Sequence, residues 1–330
     1  MKRITIISRF KVPYDTGYYL ANAFIEMGYK VMVFGNLNEE NPFESLIGLI
    51  KDFNPDLVLI FKGLDFQEDW IEEIKKQNIV TVLWYPDVDH ALPSWVIPIG
   101  RKVDYCFTMA EGWIEEWKKE GIKHISWLSQ GFEPFFYLYR EITPGERKNF
   151  QSDMTFIGNI DSTKLYRSRR YHLMRIIKEG FQLKWWGQKL GRKPVNIPVI
   201  FSRLGRSYGG RFVYFQDFAK IVQCSKILVA FDAVPEVRKS MSARMYTAIG
   251  CGAFYLCQYV EGVEEVFIPD KEIVTFRDDD EMIDKIKYYL PKEDKRKEIA
   301  MAGQRRVLSE YTYQHRLKEM MNILEREGII

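Results

Sequence analysis

The sequence is poor in cysteine and histidine, and it has no long apolar run. Its 330 residues include four cysteines and four histidines. The cysteines are scattered, and no pair has the spacing of a zinc-binding motif, so a metal site built from Cys and His is not expected. The apolar run after Lys2 and Arg3 is too short for a signal peptide, and no run approaches the roughly 20 residues that span a bilayer. The sequence therefore predicts a cytoplasmic protein in a reducing compartment, at most peripheral to a membrane.

Short apolar segments alternate with amphipathic segments along the chain. Strands are predicted at residues 4–8, 30–34, 56–61, 79–84, 103–108, 124–128, 153–157, 182–186, 226–231, 253–257 and 272–276. Helices are predicted at residues 16–27, 42–53, 65–77, 110–120, 164–179, 215–223, 263–267, 278–290, 292–308 and 313–327, with a further short helix just before residue 250. This alternation is typical of an α/β protein with doubly wound parallel sheets.

The chain is long enough for two domains, since a common domain has about half its length. The polar segment 140–151 contains Pro144 and Gly145 and is predicted to be a linker. We therefore expect one domain over residues 1–145, a second over 146–310, and a terminal helix over 311–330. Two doubly wound halves place a ligand cleft at the carboxyl ends of their strands.

The most informative stretch is residues 239–267, which reads KSMSARMYTAIGCGAFYLCQYVEGVEEVF. Ser240 and Ser242 are suited to cap a helix that Gly250 and Gly252 end. Free N–H groups and the dipole at a helix start attract anions, and Arg244 is placed to add a bidentate phosphate contact. Ordinary helix capping is the alternative interpretation of the same spacing.

The part SARMYTAIGCGAFYL resembles the donor-site segment of GT-B fold glycosyltransferases. It is most similar to the spore-maturation (CgeB-like) branch of the group 1 glycosyltransferases. The positions that match this family's pattern are Ser240 or Ser242, Arg244, Ala248, Gly252, Ala253 and Phe254. Thr247 stands where the family has the glutamate that usually holds the donor ribose, and Tyr246 replaces the preceding phenylalanine. The resemblance extends over most of the chain through DLVLIFKG, LWYPDVDH, VDYCFTMAEGWIEEWKKEGIKHISWL, SDMTFIGNI, IAMAGQRRVL and YTYQHRL.

The resemblance implies two Rossmann-like domains facing a cleft, with the terminal helix crossing back onto the first domain. Packing of that helix on its own domain is the alternative. It also implies sugar transfer from a nucleotide-diphosphate sugar, such as a UDP- or GDP-sugar, with retention of configuration and without a metal or other cofactor. The nucleotide base is expected near residues 208–216.

Several donor-side residues follow from the resemblance, because they lie at strand ends or beside the helix start. A plain turn is the alternative for Gly158 with Asn159 and for Gly262, and a buried position is the alternative for one of Trp185 and Trp186. The donor-side candidates are Gly158, Asn159, Arg167, Arg169, Gly187, Ser240, Ser242, Arg244, Thr247 and Gly262.

The first half contributes candidates for catalysis and for acceptor binding. Asp87, Asp89 and His90 close a predicted strand, where a carboxylate can take a proton from an acceptor hydroxyl. Asp87 is the first choice, while Asp89 has the alternative role of capping a helix that starts near Ala91. The acceptor-side candidates after the first strand are Tyr14, Asp15, Thr16 and Gly17, for which a structural helix cap is the alternative.

Residues 161–211 are strongly basic, with thirteen Lys or Arg against two acidic residues. The excess predicts an anionic partner, namely the donor diphosphate, an acidic glycan, a protein, a lipid-phosphate surface or nucleic acid. Two other functions therefore stay open. One is a GT-B-like protein that binds a nucleotide or glycan without transfer, which Thr247 favours. The other is a glycosyltransferase that acts on nucleic acid.

Overall fold

The protein is described by a computed structural model that covers residues 3–12, 15–35, 37, 40–137, 141–164 and 166–330. It divides into two compact units. Unit 1 comprises Met1–Glu133, Val237–Ser240 and Tyr311–Ile330, and unit 2 comprises Pro134–Glu236 and Met241–Glu310. The first boundary between the units lies after Glu133, earlier than the boundary after residue 145 that the sequence suggested.

The strands follow one another as the alternating sequence pattern predicts. The predicted helix at residues 263–267 is a short 3₁₀ turn, and the helices at residues 96–102, 134–137, 197–200 and 203–206 were not predicted. The strands are β1 (Arg3–Ile7), β2 (Lys30–Phe34), β3 (Leu57–Phe61), β4 (Val80–Tyr85), β5 (Tyr105–Thr108), β6 (Ile125–Trp127), β7 (Ser152–Ile157), β8 (Leu183–Trp186), β9 (Ser225–Ala230), β10 (Tyr255–Gln258) and β11 (Val274–Phe276). The helices are α1 (Thr16–Glu26), α2 (Pro42–Phe53), α3 (Asp69–Lys75), α4 (Val96–Lys102), α5 (Ile114–Lys119), α6 (Pro134–Tyr137), α7 (Pro144–Phe150), α8 (Arg169–Lys178), α9 (Ile197–Ile200), α10 (Arg203–Arg206), α11 (Phe215–Cys224), α12 (Ala243–Gly250), α13 (Asp279–Tyr289), α14 (Glu293–Glu310) and α15 (Tyr313–Arg326). Short 3₁₀ turns lie at Glu111–Trp113, Pro194–Asn196 and Val263–Glu265.

Unit 1 contains a six-stranded sheet in the order β2-β1-β3-β4-β5-β6, and every pair in it is parallel. Its central strands are continuous apolar runs, as expected for a sheet that is covered on both faces. In β3, all five residues of LVLIF are buried. The strand order reverses between β1 and β3, so a ligand crevice is expected beyond the carboxyl ends of these two strands.

The last helix, α15, belongs to unit 1 and packs on α1. Its Tyr313 lies 5.8 Å from the ring of Tyr19 and 6.3 Å from the ring of Trp84, measured between ring centroids. The residues before α15 add backbone pairing, because Phe132 donates to the carbonyl of Tyr311 at 2.8 Å. The terminal helix thus covers the first sheet.

Unit 2 contains a five-stranded parallel sheet in the order β11-β10-β9-β7-β8. The order reverses between β7 and β9, which places the expected ligand position after these two strands. The segment predicted to be a linker contains α7, because Thr143 and Glu146 form a capping box at its start. None of the helices in the described ranges is both long and apolar enough to cross a lipid bilayer.

Candidate functional site

A cavity of about 200 Å³ lies in unit 1 at the carboxyl ends of β1, β3 and β4. It is placed where the strand order reverses, as the topology predicts. Three of the predicted residues line it together, namely Asp15, Thr16 and Asp87. The sequence analysis did not single out the other polar residues of its lining, which include Arg9, Lys62 and Gln130. The cavity therefore presents positive charges, negative charges and a side-chain amide to a polar ligand.

Asp87 forms an ion pair across this cavity. Its Oδ2 lies 2.6 Å from Nζ of Lys62, and both side chains are about two-fifths exposed. Lys62 has a left-handed backbone with φ of 71°, an uncommon conformation that orients its side chain at the end of β3. Burial raises the pKa of the nearby Tyr85, and the charges of Asp87 and Asp89 raise it further. The carboxylate of Asp87 is thus held beside the cation of Lys62.

The amide of Gln130 is fixed from two sides in the same cavity wall. Its Nε2 donates to the carbonyl oxygen of Pro86 at 2.8 Å, and its Oε1 accepts from the hydroxyl of Tyr313 at 3.3 Å. Gln130 is buried. The terminal helix α15 therefore holds one residue of the cavity lining in place through Tyr313.

The other acceptor-side and catalytic candidates take different positions. Asp15 precedes α1, but its carboxylate accepts from the backbone N–H groups of Lys11 and Val12 and does not cap the helix. A Cβ on Gly17 would lie 2.8 Å from the ring of Phe10, so this glycine permits close packing. Tyr14 lies outside the described residues.

Asp89 and His90 are not part of the cavity lining. Asp89 accepts from the backbone N–H of His90 at 2.7 Å. Asp89 does not cap a helix near Ala91, because the next helix in this described stretch begins at Val96. Asp87 is therefore the member of this group that the structure brings to the cavity.

In unit 2, two predicted glycines lie against each other at the ends of β7 and β8. Gly158 donates its backbone N–H to the carbonyl of Trp186 at 2.8 Å. A Cβ on Gly187 would lie 2.3 Å from the carbonyl oxygen of Gly158, which is closer than any real contact. Gly187 is thus required for the backbone approach itself, a role that the sequence prediction did not assign.

The guanidinium of Arg244 lies against the same backbone. A Cβ on Gly158 would come 3.1 Å from Nη2 of Arg244. Arg244 is in the first turn of α12, and Ser242 is the N-cap residue of this helix. The backbone N–H of Ser242 donates to Oδ1 of Asp232 at 3.2 Å. The end of β7, the end of β9 and the start of α12 therefore meet at one place.

Asp232 is a buried carboxyl group beside two arginines. Burial raises its pKa, while the charge of Arg244, the hydrogen bond from the backbone N–H of Ser242 and the charge of Arg169 act to lower it. Arg169 is also buried. Desolvation and repulsion from Arg244 lower the pKa of Arg169 to about 10, while the charge of Asp232 acts to raise it. Nη1 of Arg169 donates to the carbonyl of Asn159 at 3.1 Å. Two cations and one carboxyl group leave this cluster with a net positive charge whenever both arginines are protonated.

Several polar atoms of this cluster have no hydrogen-bond partner in the part of the chain that the structure describes. They are Nη1 of Arg244, Nε of Arg169, Oδ2 of Asp232, Oδ1 of Asn159 and the hydroxyl of Tyr255. Buried polar atoms are nearly always paired in native proteins, so a group of unpaired ones indicates a place for water or a ligand. The excess of positive charge favours an anionic ligand.

The remaining donor-side candidates are more dispersed. Ser240 is buried, and it belongs to the segment Val237–Ser240 of unit 1. Thr247 donates from Oγ1 to the carbonyl of Ala243 within α12 at 3.0 Å. Gly262 has φ of 84° and precedes a 3₁₀ turn, and Arg167 is exposed. Within the described residues, Thr247, Gly262 and Arg167 form no hydrogen bond with the Arg244 cluster.

Asn159 also lines a second cavity of unit 2, of about 300 Å³, at the loops that follow β7 and β8. Lys189, Lys193 and Asp161 are among its other polar lining residues. Part of the basic segment therefore lies at the carboxyl end of the second sheet. Another part is internal, since Arg170 is buried and donates to Ile160 and Asn196.

Asp232 and Lys62 show which signals the sequence analysis missed. Asp232 follows the apolar strand β9 in FDAVPE, and Lys62 follows β3 in LIFKG. A polar residue directly after a buried strand is the same signal that selected Asp87. Arg9 carries the same signal, because it lies two residues after the end of β1, as Asp87 does after β4. Gln130 has no such local signal, and only the folded sheet brings it to the cavity.

Part of the sequence, most of it in unit 2, matches a known family. Residues 168–322 match the model of a family described as glycosyl transferase-like. The sequence matches no curated protein.

Solved structures share the fold over nearly the whole chain. A glycosyltransferase from Rickettsia africae has 12% identity and a TM-score of 0.71, and the similarity covers 98% of each chain. A sucrose-phosphate synthase from Thermosynechococcus elongatus has 11% identity and a TM-score of 0.70, with 100% of each chain covered. The HepE protein of Anabaena, solved with UDP and glucose, has 9% identity and a TM-score of 0.70, covering 99% of this chain and 100% of that one. The prediction of two Rossmann-like α/β sheets of the GT-B type is confirmed.

Proposed function

We propose that this chain, which has the GT-B fold, is a glycosyltransferase, that unit 2 binds a nucleotide-diphosphate sugar and that its sugar is transferred to a hydroxyl group. The observation that carries the proposal is the buried cluster of Arg244, Arg169 and Asp232 at the point where the strand order of the second sheet reverses. The Ser-x-Arg sequence at the start of α12 also supports a place for the chain in the CgeB-like branch of the group 1 enzymes.

The diphosphate lies at the start of α12 in this proposal. Nη1 of Arg244 has no partner in the described residues and is available for a phosphate oxygen. Free N–H groups at the helix start add to the attraction. When the bond between the anomeric carbon and the phosphate oxygen breaks, negative charge grows on the leaving diphosphate. Arg244 and the helix start stabilise that charge without a metal ion or other cofactor.

The donor is most simply a UDP-sugar. The HepE protein, which shares the fold, was solved with UDP and glucose. A GDP-sugar is the second choice. In either case the protein offers no carboxylate to the ribose, because Thr247 stands where the family has a glutamate. The nucleotide is therefore held mainly through its phosphates and its base.

The acceptor hydroxyl is placed by the cavity of unit 1 in this proposal. Asp87 accepts a hydrogen bond from the hydroxyl and takes up its proton, while Lys62 holds the carboxylate in place. Asp15, Thr16 and Gln130 provide further polar contacts in the same cavity. Retention of the anomeric configuration is inferred from the resemblance to the group 1 enzymes, so the hydroxyl attacks the face of the anomeric carbon from which the diphosphate leaves.

The proposal is tested by incubating the protein with a series of UDP- and GDP-sugars and measuring nucleotide binding and nucleotide release separately. Binding is read from the rise in melting temperature, since a ligand of the folded state stabilises it. Binding together with UDP release from one donor is the expected result. Binding without any release, with water or a mixture of glycans as the acceptor, favours the alternative of a nucleotide-binding protein that has lost transfer.

A further inference from the structure

A segment of unit 2, residues 191–212, runs along the outer edge of the second sheet. We call it the edge segment. It begins after β8, the last strand of the sheet, and returns to pair with it. Trp185 donates to the carbonyl of Ser207 at 3.0 Å, and Gly209 donates to the carbonyl of Trp185 at 2.8 Å. The segment thereby covers the open edge of the sheet.

Internal anchors hold the edge segment in place. Asn196 is buried, its Oδ1 accepts from Nη2 of Arg170 at 2.7 Å, and its Nδ2 donates to the carbonyl of Gly191 at 2.9 Å. Leu204 is fully buried, and Val199 and Ile200 pack against the core of unit 2. The segment is therefore a fixed part of the fold, and the residues that it directs outward are presented by a rigid backbone.

Its outward face is apolar. Phe201 is 79% exposed, and Val195 and Ile197 are 47% and 46% exposed. Ile197 and Phe201 are four residues apart on one helical turn and share a face, with Phe201 donating to the carbonyl of Ile197 at 3.3 Å. Covering the sheet edge requires only the backbone of Ser207 and Gly209 and the buried anchors. The exposed apolar side chains therefore need another explanation.

Positive charge surrounds these apolar side chains. Arg192, Lys193, Arg203 and Arg206 are exposed, and none has an ion pair within the described ranges. The two acidic residues of the basic segment do not neutralise them. Asp161 accepts from Thr163, and Glu179 pairs with Arg175 and Lys287. The edge segment combines an apolar face with four uncompensated cations.

We propose that the edge segment is a docking surface for an anionic lipid bilayer. Exposed aliphatic and aromatic side chains insert at the boundary between head groups and acyl chains, and flanking Lys and Arg side chains bind lipid phosphates. Nucleic acid would be bound by the same cations, but it gives no reason to expose Val195 and Ile197. A second copy of this chain would bring four cations against four cations. The bilayer is the partner that matches both the charge and the apolar side chains, and this proposal does not depend on the sugar-transfer reaction.

The test is co-sedimentation of the full chain with vesicles of phosphatidylcholine alone and with vesicles that contain about one third phosphatidylglycerol. We expect binding to the anionic vesicles and weak binding to the neutral ones. Binding should weaken as salt rises from 50 to 500 mM, because the screening length falls from above 10 Å towards a few ångströms over this range.

Two pairs of substitutions separate the apolar and the charged contributions. Phe201→Ser with Ile197→Ser should weaken vesicle binding at least tenfold, through the lost apolar insertion. Arg203→Ala with Arg206→Ala should weaken it about fivefold for each charge. The matched controls are Met301→Ser, another exposed apolar residue of unit 2, and Lys295→Ala, a paired surface cation. Melting temperature and UDP binding identify variants that fail to fold.

Three results would overturn the proposal. The first is no binding to anionic vesicles at low salt. The second is vesicle binding that the Phe201 and Ile197 substitutions leave unchanged while the protein stays folded. The third is binding of single-stranded nucleic acid, or concentration-dependent dimerisation, that depends on the same residues and occurs in the absence of vesicle binding.

Discussion

The carbonyl oxygen of Gly158 lies 2.3 Å from the point where a Cβ on Gly187 would stand. Both residues are at the carboxyl ends of neighbouring strands, where the N–H of Gly158 also pairs with Trp186. The close approach is between two backbones, so no side-chain movement relieves it. Arg244 lies against the other side of Gly158. The position of the proposed phosphate site therefore depends on residue 187 being glycine.

The substitution Gly187→Ala is expected to destabilise the protein by about 1–3 kcal/mol, because the added methyl group forces the two strand ends apart. UDP affinity should fall as well, since Gly158 moves relative to Arg244. Urea unfolding and a UDP titration measure the two effects. Gly191→Ala is the matched control, because nothing lies within 4 Å of its added Cβ. Equal stability of the two variants would contradict the prediction.

Thr247→Glu is expected to tighten donor binding about tenfold, because a carboxylate at this position can accept hydrogen bonds from the ribose hydroxyls. Thr247 is only partly buried and bonds within its own helix, so the longer side chain is tolerated. The affinity for a UDP-sugar is measured by calorimetric titration. Thr247→Gln, which has the same length without the charge, is the control. The prediction fails if both variants bind the donor as the unchanged protein does.

Asp87→Asn is expected to lower the rate of UDP release from a UDP-sugar about 10²–10⁴-fold, because the amide cannot take up the proton of the attacking hydroxyl or water. UDP affinity should stay the same, since Asp87 is in unit 1. The stability change should be small, because the ion pair with Lys62 is partly exposed.

Asp89→Asn serves as the control for Asp87, since Asp89 bonds to the adjacent backbone and does not line the cavity. Similar rates for the two variants would remove Asp87 from the proposed mechanism. A parallel loss of UDP binding in Asp87→Asn would indicate a structural role for the carboxylate.

Glu146 gives a prediction for the pH dependence of stability. A hydrogen bond from Lys220, at 2.6 Å, and one from the backbone of Thr143 lower the pKa of Glu146 to about 2 from its usual value of 4.5. A lowered pKa in the folded state means that the ionised group stabilises the protein above pH 4.5 and loses this effect as the pH falls towards 2. Glu146→Gln should therefore be less stable than the unchanged protein at pH 6 and approach it at pH 3.

The measurement for Glu146 is the urea midpoint at both pH values. Glu141→Gln is the control, since Glu141 is exposed and forms no recorded ion pair. The urea midpoints of Glu146→Gln and the unchanged protein are compared at both pH values. If they differ as much at pH 3 as at pH 6, the ion pair with Lys220 does not set the pKa of Glu146.

Most strands and helices were predictable because their apolar spacing is local. Helix α2 and strand β2 have the bounds that the sequence predicts. Helix α4 was missed, because Pro98 and Gly100 lie inside it and both residues usually disfavour a helix. Helix α7 was interpreted as a linker on account of Pro144 and Gly145, although proline is well suited to the first turn of a helix.

Part of the site was predictable from residues that follow a buried strand, and part from a helix start. Asp87 and Gly158 were singled out by the first signal, which Asp232 also carries, and Arg244 was singled out by the second. The grouping of Val237–Ser240 with unit 1 was beyond sequence analysis, because it depends on long-range contacts. Arg238 pairs with Glu111 at 2.6 Å, and no local pattern indicates that these residues meet.

The central claim is that Arg244 holds the diphosphate of the donor, and calorimetric titration of UDP tests it most directly. The account predicts one UDP site per chain, with affinity at least tenfold weaker in Arg244→Ala because charge-assisted hydrogen bonds are lost. Arg305→Ala, which removes an exposed arginine of the same unit, should bind UDP as the unchanged protein does. UDP binding that Arg244→Ala leaves unchanged, or no binding of UDP or GDP at all, would contradict the account.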